Sequence, residues 1–235
     1  MGRLKNYNNF NFKVMLEVEY LNGKKNGKVK EYNNDGFLIF KGEYLNGKIW
    51  NGKFYRFLNN ENYEIKNGKG YIIEYNDKGK IIFEGEYLNG ERNGKGKEYN
   101  FGYLIFEGEY LNGKRNGKGK EYLNYGEIKF EGEYINGKRN GIGKEYQEVD
   151  FYGLSSFEGE YSNGKRNGKG KEYLNDELIF EGEYINGRRN GKGKEYFKGE
   201  LIFEGEYLNG EKNEKGRIYD EQGNLVYDRE YIQFI

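Results

Sequence analysis

One seventeen-residue block, F-E-G-E-Y-L-N-G-K-R-N-G-K-G-K-E-Y, recurs along this chain of 235 residues, with Phe at 40, 83, 106, 130, 157, 180 and 203. A degenerate copy starts at Leu16 and a partial one at Tyr227. Self-similarity at a period of a few tens of residues means one small unit stacked many times, each unit burying its apolar surface against its neighbours. From Phe to the closing Tyr the distance is 16 in the copies Phe83 to Tyr99, Phe106 to Tyr122, Phe157 to Tyr173 and Phe203 to Tyr219. The connector from Tyr to the next Phe varies instead, with 6 residues after Tyr99, 7 after Tyr122 and 10 after Tyr146. The block is therefore the rigid unit and the connector a tolerant loop. The long interval between Phe40 and Phe83 holds a second, irregular unit, because Lys66-Asn67-Gly68-Lys69-Gly70 repeats the latter half of the block and closes at Glu74-Tyr75.

The block reads as a β-hairpin. Leu104, Phe106, Gly108 and Tyr110 alternate with Ile105, Glu107 and Glu109, so one face carries rings and glycines and the other carries charge. Asn112-Gly113 then supplies a turn, since both residues accept positive φ, and Gly117 to Tyr122 forms the return strand. Two registers satisfy the pattern. A two-residue turn pairs Tyr110 with Arg115 and Gly108 with Gly117. A six-residue loop ending at Asn116 pairs Tyr110 with Gly117, Gly108 with Gly119, Glu109 with Lys118 and Glu107 with Lys120. The second is favoured because it makes two opposite-charge pairs per hairpin, each worth a few tenths of a kcal/mol. Rings lying flat over strand glycines recover the packing those glycines forgo. A single layer can then stand on a thin skin of rings.

Composition closes off much chemistry. Cys, His, Pro, Ala and Thr are absent, while Gly is 38, Asn 31 and Tyr 25. Without His or Cys there is no ordinary zinc site, thiol nucleophile or imidazole base, and no metal or cofactor is expected. Lys+Arg and Asp+Glu are 39 each, so bulk charge does not point to nucleic acid. No apolar run reaches signal-peptide or membrane-span length, and a cytoplasmic protein peripheral to a membrane or cytoskeletal structure is expected.

The run Phe106-x-Gly108-x-Tyr110-x-x-Gly113-Lys114-x-Asn116-Gly117-x-Gly119 resembles the MORN-repeat family (membrane occupation and recognition nexus), with Tyr where that pattern has Trp and Asn where it has His. The tail Lys120-Glu121-Tyr122 through Gly126 is similar to the MORN-variant subtype. The resemblance covers roughly residues 16–235. It implies an all-β fold, an elongated, twisted, single-layer antiparallel sheet of about nine tandem hairpins with a shallow groove, acting as a scaffold or partner-binding module. The expected organisation is a lead-in over 1–15, repeats over 16–226 with the irregular unit at 40–82, and a partial repeat or cap at 227–235.

Several motifs weigh lightly. G-K-R-N-G-K-G is one residue short of a Walker loop and lacks its Ser or Thr. The glutamate pairs, such as Glu107 with Glu109, lie opposite lysines without a pocket. Asn33-Asn34-Asp35-Gly36 lacks the remaining ligands of a calcium loop. Two surfaces weigh more. The stripe Phe83, Tyr87, Phe106, Tyr110, Phe130, Tyr134, Phe157, Tyr161, Phe180 and Tyr184, with Trp50 as anchor or as a residue folded onto the irregular unit, is expected to be an exposed groove for a protein segment, helical in the preferred reading. The hairpin turns fall on one edge, which presents Arg92, Lys114, Arg115, Lys138, Arg139, Lys165, Arg166, Arg188 and Arg189 as an anion-binding row. The connector edge opposite carries Asp35, Asp77, Glu127, Asp150, Asp176, Glu177 and Asp220. A peripheral membrane module held by anionic headgroups is the alternative function. The alternating apolar tail Ile232, Phe234 and Ile235 favours a weak homodimer through residues 219–235.

Overall fold

The computed structural model describes residues 2–7, 14–55, 62–76, 78–149 and 153–229, and every regular element among them is a β-strand. The chain divides into two compact units, one comprising residues 1–117 and 122–127 and the other 118–121 and 128–235. The first unit holds β1 (Gly2–Tyr7), β2 (Val14–Leu21), β3 (Lys24–Tyr32), β4 (Leu38–Leu45), β5 (Lys48–Tyr55), β6 (Asn62–Lys66), β7 (Lys69–Tyr75), β8 (Ile81–Leu88), β9 (Glu91–Asn100) and β10 (Tyr103–Leu111). The division runs through β11 (Lys114–Tyr122). The second unit holds β12 (Ile128–Ile135), β13 (Lys138–Val149), β14 (Gly153–Ser162), β15 (Lys165–Leu174), β16 (Glu177–Ile185), β17 (Arg188–Phe197), β18 (Glu200–Leu208), β19 (Glu211–Tyr219) and β20 (Leu225–Arg229). From β1 to β10, and again from β12 to β20, each strand pairs antiparallel with the next, and among the described residues neither ladder closes on itself.

The hairpin register corrects the favoured six-residue loop. Asn186 and Gly187 form a two-residue turn with φ of 53° and 91°, so Ile185 faces Arg188 and Tyr184 faces Arg189. The ladder then slips, and Gly182 faces Gly193 while Glu181 faces Lys194. Both registers are thus present, joined by a bulge. At the bulge Gly191 has φ of 102°, and its neighbour Lys192 donates its backbone N–H to the Glu183 carboxylate at 2.9 Å. A side chain on Gly191 would collide with that carboxylate, so this glycine is needed for both its dihedral and its space. Lys169 donates likewise to Glu160, and Lys95 to Glu86, each at 3.1 Å. The second glutamate of F-E-G-E-Y therefore caps the bulge of its own hairpin, where it has no lysine opposite, and Glu183 faces Lys169 only in the ladder with the preceding hairpin.

The core is the row of rings. Phe180 lies across the paired Gly182 and Gly193, and its centroid is 5.7 Å from Tyr184 and 5.2 Å from Tyr207 of the next hairpin, both edge-on. Phe83, Phe130 and Phe157 are likewise each enclosed by two tyrosines and a glycine floor, the arrangement aromatic rings prefer. Phe83, Phe106, Phe130 and Phe180 are 0% exposed. A Cβ on Gly193 would stand 2.7 Å from the Phe180 ring, whereas Lys194 next to it is exposed. Gly193→Val is expected to cost about 1–3 kcal/mol, as overpacking does, and Lys194→Thr no more than about 0.5 kcal/mol. Thermal melts of the two variants check this, and equal losses would mean the faces are assigned wrongly.

Candidate functional site

Where an arginine stands two residues after the turn it sits on the ring face, because it pairs with the block tyrosine, as Arg92 does with Tyr87, Arg139 with Tyr134, Arg166 with Tyr161 and Arg189 with Tyr184. Arg189 stacks over Phe180 with Cζ 3.9 Å from the centroid, and its guanidinium bridges Glu172 at 2.5 Å and Glu195 at 3.2 Å. Arg166 and Arg139 repeat this over Phe157 and Phe130 at 4.2 and 4.1 Å. The result in the second unit is an unbroken zigzag, Glu121–Arg139–Glu145–Arg166–Glu172–Arg189–Glu195, ending on Lys212. The first unit carries Glu74–Arg92–Glu98–Arg115, with Arg92 and Arg115 each 4.0 Å from Phe83 and Phe106. Tyrosine hydroxyls complete it, Tyr184 donating to Glu172 at 2.7 Å and Tyr110 to Glu98 at 2.6 Å.

This geometry rearranges the expected sites. Phe83, Tyr87, Phe106, Tyr110, Phe130, Tyr134, Phe157, Tyr161, Phe180 and Tyr184 are brought together on one face in each unit but are at most 8% exposed, so the expected open aromatic stripe is a buried row roofed by arginine and carboxylate. Arg92, Arg115, Arg139, Arg166 and Arg189 leave the turn edge for that roof. Lys114, Lys138, Lys165 and Arg188 stay at the turns, exposed and without an ion pair among the described residues. Beside them sit aliphatic residues that charge counting overlooks: Leu111, Ile135 and Ile185 each precede an Asn-Gly turn and are about half exposed, at 50, 51 and 51%. Trp50 folds onto the irregular unit: its carbonyl accepts the Gly68 N–H at 2.8 Å, and its ring lies where a Gly68 side chain would go.

Adjacent turns are stitched together. Gly187 donates to the Arg166 carbonyl and Gly210 to the Arg189 carbonyl, both at 2.8 Å. The Asn190 side chain accepts the Asn209 N–H at 3.1 Å, and Asn167 accepts from Asn186 at 3.3 Å. The second asparagine of the block thus holds the next hairpin's turn. At the connector edge Asp35, Glu127, Asp176 and Glu177 are exposed, Asp220 caps its own turn by accepting from Gln222 and Asn224, and Asp77 and Asp150 lie outside the described residues. On the charged face the glutamate pair has two structural tasks, Glu181 accepting the Tyr196 hydroxyl at 2.8 Å and Glu183 capping the bulge.

Comparison with known families agrees with this geometry. The MORN repeat model matches residues 83–100, 106–124, 130–147, 157–177, 180–199 and 203–225, half of the chain, and the chain belongs to the MORN-repeat family. No curated protein matches it. MORN repeats are generally protein- or membrane-interaction modules and typically non-enzymatic. Outside the matched blocks, β2 and β3 keep the same register, with Tyr20 opposite Lys25 and the slip just beyond.

The zigzag sets a pH dependence. Burial raises the Glu172 carboxyl, but hydrogen bonds from Arg189 and Tyr184 and the charges of Arg189 and Arg166 outweigh it and hold the group below the usual carboxylate range; Glu98 and Glu145 are lowered the same way. A carboxyl depressed on folding stabilises the fold above its unfolded value and loses that contribution as pH falls through its folded value. The melting temperature should therefore hold from neutrality to about pH 5 and fall steeply below about pH 4.5. Glu172→Gln should flatten that fall, as a melt series in citrate and glycine buffers would register; an unchanged acid slope would show that the zigzag carboxylates are not its source.

Proposed function

We propose that the chain is a non-enzymatic scaffold that binds a protein segment along the hairpin-turn edge. The observation that carries this is the pairing of one exposed aliphatic with one exposed cation at two turns of each unit, Leu21 with Lys24 and Leu111 with Lys114 in the first, Ile135 with Lys138 and Ile185 with Arg188 in the second. Such an edge suits an acidic segment with apolar side chains, since apolar contact gives the affinity and charge the steering. The ring face suits this role less, because its rings are spent on the sheet's own packing. A second reading uses the same edge. Aliphatic residues beside cations also fit an anionic membrane interface, where each Lys or Arg near the surface contributes about 1 kcal/mol. Self-association through residues 219–235 remains part of the proposal for β20, whose Leu225, Val226 and Tyr227 are exposed; Ile232, Phe234 and Ile235 lie outside the described residues.

The test is capture from a lysate and co-sedimentation with phosphatidylserine vesicles, at low and high salt, using intact protein and a variant with Lys114, Lys138, Lys165 and Arg188 changed to Glu. Protein capture that persists at high salt and is lost in the variant supports the scaffold reading. Vesicle binding that vanishes at high salt supports the membrane reading. Binding of either kind unaffected by the four reversals, at an unchanged melting temperature, would remove the turn edge from the function.

A further inference from the structure

One row on the face opposite the rings departs from the pattern of the rest. In the second unit Lys144, Glu158, Lys171, Glu181, Lys194 and Glu204 stand directly opposite one another in adjacent strands, alternating in sign at every step. Glu84, Lys97 and Glu107 do the same in the first unit. From β2 to β6, however, the row reads Glu17, Lys30, Lys41, Lys53 and Glu64, with three cations in succession. The change is made by Lys41, which follows Phe40 where Glu84, Glu107, Glu131, Glu158, Glu181 and Glu204 follow the other block phenylalanines. Like charges directly opposite one another cost stability. Glu64 bridges Lys53 at 2.8 Å, but Lys30 and Lys41 have no ion pair among the described residues. The same exchange leaves a hydroxyl without its acceptor. Tyr122 donates to Glu107, Tyr196 to Glu181 and Tyr219 to Glu204, each tyrosine to the glutamate of its own hairpin. Tyr55 holds that place in the β4–β5 hairpin, where Lys41 replaces the glutamate, and its hydroxyl has no acceptor among the described residues. A concavity of about 700 Å³, floored by Gly42 and Gly52, gathers Lys30, Lys41, Lys53 and Tyr55, with Lys28 beside them. Glu43, also at its border, accepts from Asn51 Nδ2 at 3.3 Å.

We propose that this concavity binds a linear oligophosphate, free or carried on a nucleotide, with Lys41 at the centre of the site. Alone, the three lysines repel one another, and one glutamate at position 41 would remove that repulsion, as it does in the other hairpins. An anion laid along the row turns the repulsion into attraction. Lysine meets phosphate as a point charge on a flexible stem, and the Tyr55 hydroxyl adds a neutral donor at the end of the row. Spacing favours a phosphate chain over an acidic peptide. Neighbours in the row stand about 5 Å apart, whereas carboxylates on one side of an extended peptide recur about every 6.6 Å and fall out of step. The site lies within the first unit and uses none of the turn cations, so it is independent of the turn-edge reading.

Isothermal titration calorimetry of the full chain in magnesium-free buffer, with inorganic triphosphate, ATP and tetraglutamate as probes, tests it. Saturable binding of triphosphate at a single site is expected, together with a rise in melting temperature. Lys41→Glu should weaken that binding by about tenfold or more and raise the melting temperature of the unliganded protein, because the alternation is restored. Lys129→Glu makes the same change of net charge at an exposed lysine of the second unit. It should leave binding within about twofold at ~0.1 M salt, where distant charges are screened. ATP binding at least as tight as triphosphate would support a nucleotide-borne chain, and weaker ATP binding a free one. No saturable binding of either phosphate, undiminished binding in Lys41→Glu, an equal loss in Lys129→Glu, or tetraglutamate binding as tight as triphosphate would overturn the proposal. Should Lys41→Glu fold poorly, Lys41→Gln decides it, with a several-fold loss expected.

Discussion

A phenylalanine ring lying across a pair of cross-strand glycines is the contact on which the rest of this protein depends. Gly182 and Gly193 face one another in adjacent strands, and a Cβ on either would strike Phe180. Glycine in a strand ordinarily weakens it. Here its bareness lets the ring lie flat and become wholly buried without a second layer of structure. The tyrosines at either side and the arginine above complete an enclosure that each hairpin builds partly from itself and partly from the next. Each repeat is thus unfinished alone, which is why the block must recur.

The arginine–glutamate zigzag follows from that contact. A ring with one face on glycine leaves its other face toward solvent, and a guanidinium covers it while keeping its edge available to two carboxylates. Surface ion pairs are individually weak. These are part-buried and continuous, and they sit on π faces, so their contribution is expected to exceed that of isolated pairs. The same zigzag explains why the expected functional surface moved. Rings and arginines satisfy one another, and what remains for a partner is the turn lysines with their neighbouring leucines and isoleucines.

Much of this was legible in the residues. Period-2 alternation, Asn-Gly turns and invariant glycine spacing define the hairpins, and the family resemblance rested on the same positions. The bulge was less legible, because each of two registers satisfied half of the pairings. The observed ladder uses one register at the turn and the other beyond it. Pairing of Tyr110 with Arg115 was present in the first register and would have placed the arginine among the rings. A charged residue beside a turn reads naturally as exposed, and only the cross-strand partner shows otherwise. The asparagine ties between turns left no such signal, since they join residues about twenty apart through backbone groups.

The sheet's stability rests on ring and guanidinium acting together. A double-mutant cycle of Phe180→Leu and Arg189→Met, read by chemical denaturation, measures it directly. The two losses are expected not to be additive, with a coupling of about 1 kcal/mol, beyond the roughly 0.3–0.5 kcal/mol scatter of independent sites. Losses that sum within that scatter would contradict it, and would leave the arginine as an ordinary surface cation.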